Sequence, residues 1–181
     1  MNLQSIHFFS KFFLLAALLG SCTPRPENDQ KTKKSIVFNK DSVGKQFIKA
    51  NQQLMQKEND EMDYYAKSHN MPFVRTASGI RYFVYKPSAK GDSLRDNMEV
   101  TMDYDLKLLN GTLCYSSKTE GKKTFIIGHD NLESGIHKGL QYLKRGDKAV
   151  LLIPSPLAHG LMGDYKKIPP QMPIVYDIQV Y

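Results

Sequence analysis

The stretch Val100-Thr101-Met102-Asp103-Tyr104-Asp105-Leu106-Lys107-Leu108 alternates apolar and polar residues without a fault. A strand sends successive side chains to opposite faces, so Val100, Met102, Tyr104, Leu106 and Leu108 share one face and the charges lie on the other. The polar face is expected to meet water. The apolar face raises a question, because a tyrosine sits in the middle of it. That face looks either into a sealed core or into a pocket where Tyr104 can meet something from outside.

The strand, about Asn97 to Leu109, is followed by Asn110-Gly111, a strong turn signal. Further strands are expected at Gly79–Tyr85, at Lys123–Ile127 closed by Gly128, and at Asp147–Ile153, which is apolar after its first two residues and ends at Pro154. The last, Pro173 to Tyr181, runs to the final residue. One helix lies among them. Leu132, Ile136, Leu140 and Leu143 recur at helical spacing, Asp130 and Glu133 are arranged as a capping box, and Lys144-Arg145-Gly146 supplies a basic end and a glycine stop. Strands around one short helix predict an α+β fold, an antiparallel sheet curled over that helix. The connection SPLAHGLMGDYKKIPPQM, residues 155–172, is long for a compact domain and carries Leu157, Leu161, Met162 and Ile168. It is expected to fold back over something.

Upstream, residues 39–71 read as an N-terminal helix. Val43, Phe47, Ala50, Leu54, Met62 and Tyr65 form a narrow stripe that breaks around Lys57-Glu58-Asn59-Asp60, and Met71-Pro72 stops the run. The helix packs on its own domain or pairs with a second copy to give a homodimer. The interrupted stripe favours the first arrangement.

The first residues are set aside from the fold. The run Phe12–Leu19 is too short to span a membrane and has the size of a signal-peptide apolar core. It leads into Leu19-Gly20-Ser21-Cys22, an ending that resembles the bacterial lipoprotein signal, in which the cysteine is acylated and becomes the N-terminus. An ordinary secretory signal with a chance cysteine is the competing reading. Residues 1–21 are thus expected to be a lipoprotein signal peptide. Residues 22–38 are a polar tether from lipidated Cys22, with an r.m.s. reach of roughly 20–24 Å. Lys11 is the only charged residue removed, so the formal charge of +7 becomes +6. The lysines are dispersed, which argues for solvated faces rather than a nucleic-acid surface. With Cys22 consumed by lipid, Cys114 has no partner in the chain and is expected as a free thiol. His129 and His137 have no carboxylate or thiol at ligand spacing, so no metal site is expected, and both are read as facing solvent.

Several features then fall in one order: the strand tyrosine, the Asn110-Gly111 turn, Ser116-Ser117 and Phe125-Ile-Ile-Gly128. Gly139 and Gly146 follow, then Ile153-Pro-Ser-Pro-Leu-Ala-His-Gly160, and finally Ile168-Pro-Pro before the last strand. This order resembles the FKBP-type peptidyl-prolyl isomerases over about Thr76–Tyr181, with the domain taken as residues 72–181. The lipoprotein signal and N-terminal helix are similar to the membrane-anchored members associated with gliding motility in the Bacteroidetes group.

The resemblance implies a pocket between sheet and helix that holds a proline ring and needs no cofactor. Tyr104, His159 and Tyr176 would be its catalytic residues, with His159 where the family usually has a tyrosine hydroxyl donor. Tyr115, Phe125, Leu132, Glu133, Ile136 and Ile168 would bind substrate, Glu133 through its backbone N–H. The chain departs from the family pattern at Cys114-Tyr115, which replaces an aromatic wall and a carboxylate, and at Ile136, which replaces the floor tryptophan. Glu133 stands in place of an aliphatic residue, and Lys123 in place of an aromatic one. These departures imply a shallower, more polar or more open socket and weak turnover on proline-containing polypeptides. Two functions stay open: a lipid-anchored isomerase in the cell envelope, periplasm-facing or at the outer membrane, assisting exported proteins, or an FKBP-like chaperone or binding module of an envelope machine.

Overall fold

The computed structural model describes residues 40–181; the expected signal peptide, Cys22 and the expected tether lie outside the described residues. Helix α1 spans Lys40–Ser68. Then come β1 (Val74–Arg75), β2 (Arg81–Lys86), β3 (Glu99–Leu108), β4 (Leu113–Ser116) and the one-turn helix α2 (Ser117–Glu120). Strand β5 (Lys123–Ile126), helix α3 (Ser134–Leu140), β6 (Lys148–Ile153), a 3-10 turn at Ser155–Leu157 and β7 (Ile174–Val180) complete the chain. The strands form one sheet in the order β1-β2-β6-β7-β3-β4, with β5 also on β3, and every pairing is antiparallel. The architecture is the expected α+β sheet packed on one short helix, with a longer helix at the N-terminus.

Strand β3 shows why its pattern alternates. Val100, Met102, Tyr104, Leu106 and Leu108 are all buried and join the main core with Ile136 and Leu140 of α3. Its opposite face does more than meet water. Asp105 accepts from the Ser116 hydroxyl at 2.5 Å, and Asp103 accepts from Ser117, Tyr181 and Lys122. The outer edge of β3 is shared, with β5 pairing its first half and β4 its second. Helix α2 crosses between them, and there the Tyr104 N–H donates to Ser117 Oγ at 3.1 Å. Without that hydroxyl an interior backbone donor would lack a partner.

Strand β6 is apolar on both faces because both are covered. Ala149, Leu151 and Ile153 face the main core, while Val150 and Leu152 meet Met62 of α1, together with Val175 of β7. Helix α3 lies close on β6 through glycines. A Cβ on Gly135 would stand 2.2 Å from Ile153 Cγ2, and one on Gly139 2.8 Å from Leu151 Cδ1.

Helix α1 belongs to the same compact unit and docks by its C-terminal half. Arg81 is buried and donates to Asp63 at 2.6 Å and to the Asn59 carbonyl. Glu58, 2 % exposed, accepts from the Ser155 N–H at 2.9 Å and from its hydroxyl at 2.5 Å. The first half is different. Phe47, on the expected stripe, is 67 % exposed, and Ile48 is exposed beside it. The break in the stripe at 57–60 therefore marks not a flaw in packing but the start of it.

Three local expectations are corrected. Helix α3 ends at Leu140 rather than Leu143, whose burial comes from a following turn in which Leu94 N–H donates to the Leu143 carbonyl. Gly146, at φ +88°, serves the turn into β6, where its N–H reaches the Val180 carbonyl. The Asp130–Glu133 capping box does not form, because Asp130 accepts from the Ile126 N–H and the Glu133 side chain turns into a cavity.

Candidate active site

The register of the sheet assembles one cavity of about 350 Å³. Leu106 pairs with Tyr176 on one side and Tyr115 on the other, so these three form a row across β7, β3 and β4. Tyr104 lies two residues before Leu106 on the same face, its ring centroid 6.1 Å from that of Tyr176 at a 53° tilt. Glu133 enters from the start of α3, and His159 and Asp164 from the long 155–172 connection. A larger cavity, about 840 Å³, lies between α1 and the β3–β4 turn. Its walls carry Tyr64 and Tyr65 among polar and charged side chains of α1 but no histidine, whereas Tyr104, Tyr115, Tyr176 and His159 converge in the smaller one, which is the candidate site.

Each tyrosine hydroxyl here meets a carboxylate. Tyr104 donates to Glu120 at 2.8 Å, Tyr176 to Glu133 at 3.0 Å, and Tyr115 to Asp164 through a short bond. Burial, then the Glu120 bond and charge, push the Tyr104 hydroxyl far above its ordinary range. Burial and Glu133 do the same for Tyr176. Tyr115 is raised to about 12, first by its bond to Asp164 and then by burial. All three stay protonated at physiological pH and present aromatic walls with pinned hydroxyls. Burial works to raise Asp164, but the Tyr115 hydroxyl and the N–H groups of Ile168, Lys166 and Lys167 outweigh it and hold the carboxyl down at about 2. That same ring of bonds folds the 164–168 turn over the cavity.

His159 Nε2 stands 3.1 Å from Glu133 Oε1, yet out of line for a hydrogen bond. It remains a free donor inside the site when that nitrogen carries its proton. Lys123, expected only as a lost aromatic, stacks its ammonium 4.9 Å from the Tyr104 ring centroid.

Tyr104, Tyr115, Glu133, His159 and Tyr176 thus line one cavity. Phe125, Leu132, Ile136 and Ile168 do not line it. Phe125, Ile136 and Ile168 belong to the same apolar core, with half-buried Leu132 packed against it; Ile136 is fully buried and Phe125 sets its ring against His137. Glu133 is present by its carboxylate, which the backbone assignment overlooked. The carboxylate absent at Tyr115 is replaced from elsewhere, by Asp164 and Glu120, so the socket is more polar rather than poorer in acceptors. Asp164 had a legible signal, an acidic residue opening the Gly-Asp-Tyr-Lys-Lys turn; Glu120 had none.

His137 is half-buried rather than free in solvent. Its Nδ1 accepts from the Gly128 N–H at 2.9 Å, which leaves Nε2–H to donate to the Asp130 carbonyl. Burial, then the charge of Asp164, raise the Cys114 thiol, so it is no nucleophile at neutral pH. Among the described residues no group of three or more His, Cys, Asp or Glu side chains is placed to hold a metal ion. No helix among them is long and apolar enough to cross a membrane.

The family model described as FKBP-type peptidyl-prolyl cis-trans isomerase matches residues 91–181. The chain belongs to that family. A probable FKBP-type isomerase FkpA from Neisseria meningitidis is 35 % identical over 106 residues, covering 58 % of this chain and 38 % of that protein. The Escherichia coli FkpA is 33 % identical over 109 residues, covering 59 % and 39 %. The crystal structure of the E. coli FkpA superposes with a TM-score of 0.59 at 26 % identity, covering 77 % of this chain and 67 % of that one. That of AtFKBP13 gives 0.56 at 28 %, covering 59 % and 94 %. The chain spans about two fifths of the FkpA relatives it matches in sequence. In this FKBP-type domain the matched residues include every element that lines the cavity, from β3 to β7.

Proposed function

We propose that the protein is a peptidyl-prolyl cis-trans isomerase of low turnover, anchored to the cell envelope through lipidated Cys22. The observation that carries the catalytic part is the cavity between Tyr104 and Tyr176, with His159 Nε2 as a donor that no protein group uses. Rotation about an X-Pro bond faces a barrier of about 18–20 kcal/mol and needs no permanent proton transfer. A site accelerates it by holding the twisted imide better than either planar form. Tyr104 and Tyr176 clasp the proline ring, and His159 donates to the imide carbonyl once it leaves conjugation. The carboxylates around the socket make it wetter than an apolar pocket, which is why turnover is low.

A protease-coupled assay on short proline peptides tests this reading. Tyr104→Ala and Tyr176→Ala are each expected to remove the rate; a rate left intact would place the site elsewhere. No rate above the thermal background, for folded protein at high concentration, would favour the second reading. That reading is an FKBP-like binding module of an envelope machine such as a gliding or secretion apparatus, and the polar socket is what favours it.

The anchor and the clients rest on the sequence: a lipoprotein ending at Cys22 and a polar tether before the helix. Cys22→Ala is expected to move the protein from the membrane fraction to the soluble one. Pairing of two copies through the exposed Phe47–Ile48 half of α1 is a further element of the proposal. Sedimentation of the form beginning at Thr23 tests it.

A further inference from the structure

Two polar atoms inside the cavity are left unmatched: Oε2 of Glu133 and Nε2 of His159 are both closed to solvent and neither has a hydrogen-bond partner. The Glu133 side chain is 11 % exposed, and its other oxygen is fixed by the Tyr176 hydroxyl. A buried carboxylate with a bare oxygen is a costly group to keep, so this one needs an explanation.

The neighbouring charges do not supply it. Asp164 is saturated by Tyr115 and three backbone N–H groups. Glu120 is exposed and takes the Tyr104 hydroxyl. Lys123 holds its charge over the Tyr104 ring and Lys166 is exposed on the long connection. Among the described residues the basic side chain that reaches Glu133 is His159, and it carries charge only when protonated. A guest that displaces the side chains shielding these two atoms must therefore bring the missing donor. Proline has no N–H to offer, and its imide carbonyl is matched to His159. The donor comes from the residue beside the proline, and a cationic donor also balances the buried negative charge.

We propose that Glu133 makes this pocket select polypeptide segments that carry lysine or arginine next to the proline. The inference rests on the isomerase reading above and names its substrate class. The selection is local, since the whole chain carries a formal charge of +7 and its general field would repel such a segment.

The test is equilibrium binding of dye-labelled tetrapeptides to the full chain at fixed salt, with lysine, arginine, leucine or glutamate placed before or after the proline. Lysine and arginine peptides are expected to bind about tenfold more tightly than the leucine peptide, the worth of one charge-assisted hydrogen bond. Glu133→Gln keeps the side-chain shape and is expected to bring that ratio near one. Glu133→Lys is expected to reverse the order in favour of the glutamate peptide. A leucine peptide that binds as tightly as the lysine peptide, or a lysine preference that survives Glu133→Gln, overturns the proposal. If leucine peptides bind and isomerise without charge preference, only this inference falls. If no proline peptide binds, the isomerase reading falls with it.

Discussion

Two buried carboxylates, one on each side of the β6–β7 region, have been treated in opposite ways. Outside, Glu58 reaches from α1 to the turn after β6, and both its oxygens are taken by Ser155. Inside, Glu133 enters the cavity under β7 with one oxygen held by Tyr176 and the other bare. A buried charge matched by fixed donors is a fastener, since removing either partner strands the other. A buried charge left half matched is an opening for something that arrives later. The comparison also joins the two regions. Glu58 grips the residue that starts the 155–172 connection, and that connection carries His159 and Asp164 into the site.

The largest loss is expected at Glu58. Glu58→Ala leaves the N–H and hydroxyl of Ser155 buried and unmatched, and is expected to cost about 3 kcal/mol in urea unfolding. A loss under about 0.5 kcal/mol would mean that α1 is not fastened there. Gly135→Ala acts from the inner side. Its Cβ would collide with Ile153 Cγ2 and approach the Leu157 carbonyl at 2.9 Å. About 1–3 kcal/mol is expected from such overpacking, together with a fall in isomerisation rate as α3 moves off β6.

A smaller effect is expected from acid. The folded pKa of Asp164 is depressed to about 2 from an ordinary 3.8. The stability it gives the 164–168 turn is therefore present above the ordinary value and lost as pH falls through about 2. Protease cleavage within 161–168, followed from pH 5 down to 2 with an acid-active protease, should rise over that window in the wild type. Asp164→Asn should be cleaved readily throughout, with no such rise. The smallest effect belongs to the undocked half of α1. Phe47→Ser is expected to change the stability of an isolated chain by less than about 0.5 kcal/mol. A protein-concentration-dependent shift in melting that Phe47→Ser abolishes would show that this half is covered in a second copy.

How far the sequence could be read depended on how many partners a residue had. Strand β3 was legible because one rule governs it: alternate residues face one core. Tyr104 and Tyr176 are legible through the resemblance, and their facing positions follow from the same period. Leu143 misled because a buried turn residue can fall on a helical spacing by coincidence. Strand β4 escaped notice since Leu113–Ser116 is four residues long and joins β3 across a bulge at Leu106–Lys107. The Asp130–Glu133 pattern was real as a pattern, yet Tyr176 competed for the glutamate and won.

The α+β class, the strand whose inner face holds Tyr104 and the long connection that folds back are all legible in the amino-acid order, because periodicity and turn chemistry act between near neighbours in the chain. That each pocket tyrosine meets a carboxylate, and that Glu133 keeps a bare oxygen, emerges from the packed fold alone. Those pairs join residues up to 49 positions apart. Which distant donor satisfies which acceptor is set by the packed sheet, and no local pattern encodes it.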